Sequence, residues 1–106
     1  MKLPDIIASY YAAKNRHDIE AMAATFTEQA TVRDEGVNHR GRPAIKAWME
    51  ETTRRYAVTV TPTHAIQSGV GVAVDALVAG NFPGSPVTLT YRFELSDDGI
   101  SSLEIG

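Results

Sequence analysis

The sequence predicts a single α+β domain in which three helices pack on one face of a strongly curved, mainly antiparallel sheet. Helical spacing of apolar residues dominates the first half of the 106-residue chain, whereas strand alternation with short turns dominates the second half. Helices that precede a run of consecutive strands must cover one face of the sheet those strands form. A twisted sheet wrapped around helices leaves a concave space, which is a common place for a small ligand.

The composition argues against several classes of function. The chain has no cysteine, so disulfides, zinc–thiolate sites and thiol nucleophiles are excluded. Its net charge of −3, together with basic clusters that lack interleaved aromatic residues, argues against nucleic-acid binding. No stretch reads as a secretory signal or a membrane span. The sequence therefore predicts a soluble, cytoplasmic protein with no membrane or nucleic-acid partner.

Two short helices are predicted at the start of the chain. Their apolar residues recur at spacings of three and four, which is typical of a helix buried along one side. The first stripe consists of Leu3, Ile6, Ile7, Tyr10 and Tyr11. Asp18 is a suitable N-cap for the second helix. The second stripe consists of Ile19, Met22, Ala23 and Phe26.

The stretch from Thr31 to Trp48 carries the main chemical signal. It is predicted to form a short strand that ends in acids, a loop punctuated by Gly36 and Gly41, and a third helix that opens at Pro43. The third helix carries Ile45, Trp48, Met49, Thr52 and Tyr56 on its apolar face.

Asp34 is the unusual residue of that strand. Strand side chains alternate between faces, so Asp34 shares a face with Val32. A carboxylate on a buried face must be hydrogen-bonded, shifted in pKa or used chemically. The structural alternative is a strand-end Asp that accepts bonds from the Gly36 loop or pairs with Arg40 or Arg42.

Four strands joined by short turns are predicted after the third helix. The segments are Tyr56–Thr61, Val70–Phe82, Val87–Leu95 and Ile100–Ile105. The second of these is apolar on nearly both faces, and this predicts a homodimer through the outer face of the sheet. Asp75 interrupts this strand, either as a second acid of the pocket or in an interface or edge salt bridge.

The histidines and glycines give no sign of a metal or a nucleotide. His17, His39 and His64 lack the spacing of metal ligands, and Gly36 and Gly41 lack that of a phosphate-binding loop. The prediction is that no metal and no other cofactor is needed. By its alternation with Val58 and Val60, His64 is expected at the mouth of the pocket.

The segments DIEAMAATFTEQATVRDEG and RGRPAIKAWME, in this layout, resemble the nuclear-transport-factor-2-like superfamily. Within it, the chain is similar to the SnoaL-like and ketosteroid-isomerase-like bacterial members. The resemblance covers nearly the whole chain and implies a cone-shaped half-barrel around an apolar pocket. Members of the superfamily include isomerases, polyketide cyclases, epoxide hydrolases, dehydratases and proteins without catalysis.

The resemblance also implies roles for individual residues. It places the general base of the ketosteroid isomerases at Asp34, and their tyrosine donor to the developing oxyanion at Tyr10, with Tyr11 as a competitor. The third group of those enzymes, a neutral carboxylic acid, would fall near Leu89 or Thr90. Neither residue is an acid, so one of two oxyanion donors is missing.

Together, these observations predict a domain that binds a small apolar or aromatic molecule and performs cofactor-free proton transfer of the isomerase, cyclase or dehydratase type. Asp34 would be the base and Tyr10 the donor. The alternative is a non-catalytic module for ligand binding or homodimerisation. The predicted substrate-binding wall consists of Met22, Phe26, Trp48, His64, Phe82 and Tyr91.

Overall fold

The computed structural model describes residues 2–106, which form three helices and one six-stranded sheet. The helices are α1 (Asp5–Asn15), α2 (Ile19–Ala24) and α3 (Arg42–Tyr56). The strands are β1 (Phe26–Asp34), β2 (Val37–Arg40), β3 (Thr59–Ser68), β4 (Gly71–Ala79), β5 (Val87–Ser96) and β6 (Gly99–Ile105). Within residues 2–106, no helix is long and apolar enough to cross a membrane.

The sheet has the strand order β2-β1-β6-β5-β4-β3. Its neighbouring strands are antiparallel except for β1 and β6, which run parallel. The sheet curves without closing, and the three helices pack on its inner face. The predicted α+β class and the predicted mainly antiparallel, half-barrel architecture are confirmed.

Aromatic rings fill the centre of the core. The ring of Tyr10 is fully buried and meets the rings of Tyr11, Phe26 and Phe93 edge-on, with centroids 5.2, 5.7 and 5.6 Å away. Edge-to-face contacts of this kind stabilise a core beyond the burial of area alone. Helix α1 therefore packs against β1 and β5 through its predicted apolar stripe.

The prediction of a loop after β1 is wrong, because the chain forms a hairpin there. Asp34 pairs with Val37 across a two-residue turn in which Glu35 and Gly36 have φ values of 52° and 75°. Two consecutive residues with positive φ are typical of the type I′ turn, which favours glycine. The four residues of β2 are largely exposed and lack apolar alternation, so their pattern does not indicate a strand.

Other predicted boundaries also differ from the structure. The strand predicted over Tyr56–Thr61 is β3, which runs from Thr59 to Ser68, and Tyr56 ends α3. Phe26, predicted as the end of the second helix, is the first residue of β1. Strand β4 ends at Ala79, so Phe82 lies in the following loop. That loop passes so close to α3 that a Cβ at Gly80 would lie 2.5 Å from the carbonyl oxygen of Tyr56.

An irregularity in β3 reverses the direction of the side chains beyond it. Pro62 lies opposite Ala76, but His64 lies opposite Asp75, so one extra residue is inserted between them. Such a bulge shifts the alternation by one position. His64 consequently lies on the outer face, so its expected place at the pocket mouth is wrong. Asp75 also lies on the outer face, because its neighbours Val74 and Ala76 on β4 are buried on the inner face, so the pocket-acid alternative for Asp75 is wrong. Asp75 instead accepts a hydrogen bond of 2.8 Å from the hydroxyl of Thr90.

Candidate active site

A cavity of about 460 Å³ opens between the inner face of the sheet and helices α1 and α3. This size suits a small organic ligand. The apolar and aromatic part of its wall consists of Trp48, Val58, Val78, Phe82, Pro83, Val87, Leu89, Tyr91 and Ile105. The polar side chains on the wall are Lys14, Asp34, Glu35, Thr52 and Tyr56.

Asp34 reaches the wall of the cavity from the end of β1. Val32, on the same face two residues earlier, is fully buried, and Asp34 itself is partly buried. Its Oδ2 accepts a hydrogen bond of 3.1 Å from Nε1 of Trp48. Within residues 2–106, no cation lies within 4.0 Å of this carboxylate. The guanidinium of Arg42 instead donates two bonds to the carbonyl oxygen of Phe26, so the ion-pair alternative for Asp34 is wrong.

The surroundings of Asp34 raise its pKa above the ordinary value. Burial is the largest cause, and the nearby carboxylate of Glu35 acts in the same direction. The hydrogen bond from Trp48 and the positive charges of Lys14 and His39 oppose the rise without cancelling it. A partly desolvated carboxylate with a raised pKa has the properties of a general base poised for proton abstraction.

Trp48 connects the polar groups of the site. Its indole lies on α3, is 7% exposed and donates to Asp34. The imidazole of His39 lies against the same ring, with the centroids 5.8 Å apart and the planes tilted by 32°. The structure thus gives Trp48 both a polar contact and a place on the apolar wall.

Lys14 is a wall residue that the sequence reasoning did not identify. It lies on α1, is 7% exposed, and its Nζ is 5.8 Å from the ring centre of Trp48 and 5.9 Å from that of Tyr10. Burial lowers its pKa to about 8, against the opposing effect of Asp34. A signal for its position was present, because Lys14 follows Tyr10 by four residues and Tyr11 by three, and so continues the buried stripe of α1.

Three buried tyrosines differ in their access to the cavity. The hydroxyl groups of Tyr10 and Tyr11 are buried and have no hydrogen-bond partner among the described residues, and neither residue lines the cavity. Tyr91, on β5, does line it. Burial raises the pKa of all three phenols, so each stays protonated and its hydroxyl is a neutral hydrogen-bonding group that can act as a donor.

The predicted wall residues divide into two groups. Those that line the cavity are Trp48, Phe82 and Tyr91. Met22 and Phe26 do not line it, because both side chains are buried in the core. His64 is turned to the outer face by the bulge in β3. Of the two positions considered for a third acid, Leu89 faces the cavity, whereas Thr90 faces outward to Asp75.

Residues 7–102 match a family model described as a SnoaL-like domain. A candidate polyketide cyclase from Sinorhizobium meliloti, known from its crystal structure, is 40% identical to this chain. The match covers 98% of this chain and 95% of that protein, with a TM-score of 0.95.

Two other solved structures support the same fold. The epoxide hydrolase/cyclase-like enzyme SalBIII, which has a role in pyran ring formation in the polyether salinomycin, is 25% identical over 95% of this chain and 86% of its own, with a TM-score of 0.84. A Catenulispora acidiphila protein with a ketosteroid isomerase-like fold, solved in complex with trimethylamine, is 24% identical over 99% of this chain and 86% of its own, with a TM-score of 0.87. No protein with a curated functional description matches this chain significantly. The chain belongs to the SnoaL-like domain family and has its NTF2- and ketosteroid-isomerase-like fold.

Proposed function

We propose that this protein binds a small apolar or aromatic carbonyl compound in the cavity and moves a proton at the carbon next to the carbonyl group, with Asp34 as the general base. The observation that carries the proposal is a carboxylate on a mostly apolar wall, held by Trp48 and without an ion pair among residues 2–106. The similarity to a candidate polyketide cyclase and to SalBIII supports a role of the cyclase or isomerase type.

Proton abstraction places negative charge on the carbonyl oxygen, which then needs a hydrogen-bond donor. The family resemblance names Tyr10, whose hydroxyl is buried behind the wall. We assign the donor role to Tyr91 instead, because its side chain already lies on the wall beside the same cavity as Asp34. Isomerisation, aldol cyclisation and dehydration share this first step, so the apparatus supports each of them without a cofactor.

The test is the replacement of Asp34 by Asn, which keeps an oxygen acceptor for Trp48 but removes the base. The probe is 2-indanone in deuterated water, and NMR measures the exchange of the hydrogens next to its carbonyl group. We expect the wild-type protein to accelerate exchange, and Asp34→Asn to lose this acceleration by roughly 10²–10⁴-fold, which is the usual contribution of a general base.

Stability serves as the control for this substitution. Because burial disfavours the charged form of Asp34, the neutral amide is expected to leave the free energy of unfolding unchanged or slightly higher. Full exchange activity in the Asp34→Asn variant would refute the role of the carboxylate. Loss of activity with loss of folding would not support it, so the unfolding curve of each variant is measured first.

A second proposal concerns the outer face of the sheet, where a specific observation favours a contact between two copies. Ile66 and Leu77 project from β3 and β4 on this face and are 62% and 40% exposed. On β5, next to β4, the outer face carries both signs of charge, in Arg92 and Glu94. A surface with apolar side chains and both signs of charge can complement itself across a two-fold axis. We propose that it forms a homodimer, with or without catalysis in the cavity.

A further inference from the structure

Lys14 is a buried amine whose role the proposed proton transfer does not explain. It lies on α1, is 7% exposed and forms part of the cavity wall. Removing a lysine side chain from water is costly, and lysines are almost never this buried unless they are paired or functional. Because Lys14 lies on the cavity wall, we look for its role in the binding of a ligand there.

The amine of Lys14 forms no ion pair with a carboxylate of residues 2–106. Within residues 2–106, no Asp or Glu oxygen lies within 4.0 Å of it, whereas the exposed Lys46 pairs with Glu20. The neighbours of Lys14 are instead the aromatic rings of Tyr10 and Trp48, at 5.9 and 5.8 Å. Both rings lie near the amine, and neither contact is a hydrogen bond that would occupy the nitrogen.

The charges in the cavity favour a neutral ligand over an anion. Asp34 lies close enough to affect the pKa of Lys14, so their opposite charges offset each other within the site. Glu35 adds a further acid at the wall, while burial raises the pKa of the Tyr91 phenol and keeps it a neutral donor. Because burial lowers the pKa of Lys14 to about 8, a nucleophilic neutral amine is accessible in weakly basic solution.

We propose that Lys14 forms a Schiff base with small apolar aldehydes or ketones that enter the cavity, and that Asp34 then acts on the carbon next to the resulting C=N bond. The amine lone pair attacks the carbonyl carbon, and the C=O π electrons move to oxygen. Both amine hydrogens leave with that oxygen as water, and a C=N bond remains. Once protonated, this iminium group accepts the electron pair of the neighbouring C–H bond while Asp34 takes the proton, which gives an enamine.

This arrangement also removes the need for a second oxyanion donor beside Tyr91. The family resemblance places that donor near Leu89 or Thr90, and Leu89, which faces the cavity, is not an acid. An iminium nitrogen takes up electrons itself, so no negative oxygen has to be stabilised during proton abstraction. The inference rests on the proposed function for its ligand class, since both require a carbonyl compound in the cavity.

The experiment traps the Schiff base with benzaldehyde and sodium cyanoborohydride at a pH slightly above neutral. The reduced adduct is a stable benzyl group, which peptide mass spectrometry assigns to one of the three lysines, Lys2, Lys14 and Lys46. We expect Lys14 to be labelled roughly tenfold faster than the exposed, ion-paired Lys46, because far more of it is in the neutral form. In the Lys14→Met variant the fast labelling should disappear, and in Lys46→Met it should persist.

Labelling in the Asp34→Asn variant separates this inference from the proposed function. If Lys14 is labelled in both wild type and Asp34→Asn but 2-indanone exchange is not accelerated, the Schiff base stands and the proton-transfer role fails. If wild type accelerates exchange but labels its lysines at equal rates, and Lys14→Met still accelerates exchange, the Schiff base is overturned. Binding of benzoate that depends on Lys14, without any labelling by benzaldehyde, would overturn it as well and identify Lys14 as a counter-ion.

Discussion

Lys14 is the individual residue for which burial and function conflict most clearly. Its pKa is lowered from 10.5 to about 8, which corresponds to a cost on the order of 3 kcal/mol for keeping the ammonium in the folded protein at neutral pH. Cation–π contacts with the rings of Tyr10 and Trp48 offset part of this free-energy cost. Functional sites often keep residues that lower the stability of the fold, and a destabilising lysine on a cavity wall fits this pattern.

Replacement of Lys14 by Met should therefore stabilise the protein. We expect an increase of roughly 1–3 kcal/mol in the free energy of unfolding at pH 7, because an apolar side chain of similar length removes the buried charge. In the wild type, the unfolded chain holds the Lys14 proton between pH 8 and 10.5 while the folded protein loses it. The wild type should therefore gain stability relative to the variant as the pH rises through this window.

Urea unfolding of both proteins at a series of pH values checks this prediction. The measured quantity is the difference in unfolding free energy between wild type and Lys14→Met, so that titrations common to both proteins cancel. Lys46→Met is the matched control, since Lys46 is substantially exposed and its loss should change stability by less than about 0.5 kcal/mol. Destabilisation by Lys14→Met at pH 7 would mean that the ammonium is favourably bound and not merely tolerated.

Among individual residues, strand alternation predicts the face on which Asp34 lies but not its hydrogen-bond partner. The shared face of Val32 and Asp34 follows from a period of two and is observed. The hydrogen bond from Trp48 depends on how α3 packs over β1, which no local pattern encodes. The helical period predicts that position 14 is buried. Because lysine is charged, Lys14 was not counted among the apolar residues of the stripe.

At the scale of elements, the end of α1 protects an edge of the sheet. β3 is an edge strand, and the backbone N–H and C=O of Val60 point away from β4. The side-chain amide of Asn15 accepts from that N–H at 2.7 Å and donates to that C=O at 2.8 Å. His17 approaches the carbonyl oxygen of Val58 at 3.0 Å. These contacts satisfy groups that an uncovered edge offers to other chains, and they hold the part of α1 that carries Lys14.

Replacement of Asn15 by Ala should loosen this connection. We expect a loss of about 2–3 kcal/mol in the free energy of unfolding, because two hydrogen bonds disappear and the partly buried backbone groups of Val60 lose their partner. Amide hydrogen exchange of Val60 should also accelerate relative to that of Val74 in the adjacent strand. Ser9→Ala, an exposed change on the same helix, is the control. Unchanged protection of Val60 in the Asn15 variant would contradict this account of the edge.

Local sequence pattern predicted the helices better than the sheet edges. The stripes of α1 and α3 follow helical spacing, and both helices occur where expected. Pro62 is typical of an edge strand or a bulge, and β3 has both, but the proline does not indicate to which face the side chains beyond it turn. The parallel pairing of β1 with β6 joins segments about 70 residues apart, and such pairing leaves no local signal.

At the scale of the whole molecule, the cavity and the outer face are two consequences of one curved sheet. The inner face is buried by helices near β1 and β6, and it stays open towards the loop that follows β4, where the cavity lies. No helix or loop among residues 2–106 covers the outer face, which exposes Ile66 and Leu77. An antiparallel sheet normally carries polar residues on its solvent-exposed face. The outer face of β5 is polar in this way, whereas the outer faces of β3 and β4 are polar only in part.

A homodimer through this outer face is the expected state at micromolar concentration, and sedimentation velocity measures it directly. Replacement of Ile66 by Lys should convert the dimer to a monomer, because each copy would bring a charge into the interface in place of an apolar contact. Ile66 is 62% exposed within one copy, so its replacement should not change the thermal midpoint of the separated monomer.

Val37→Lys is the matched control, since Val37 is also an exposed strand residue, at 54%, but belongs to the β1–β2 hairpin at the opposite edge of the sheet. A wild-type protein that sediments as a monomer would exclude the dimer. An equal effect of both substitutions would show that the contact lies elsewhere.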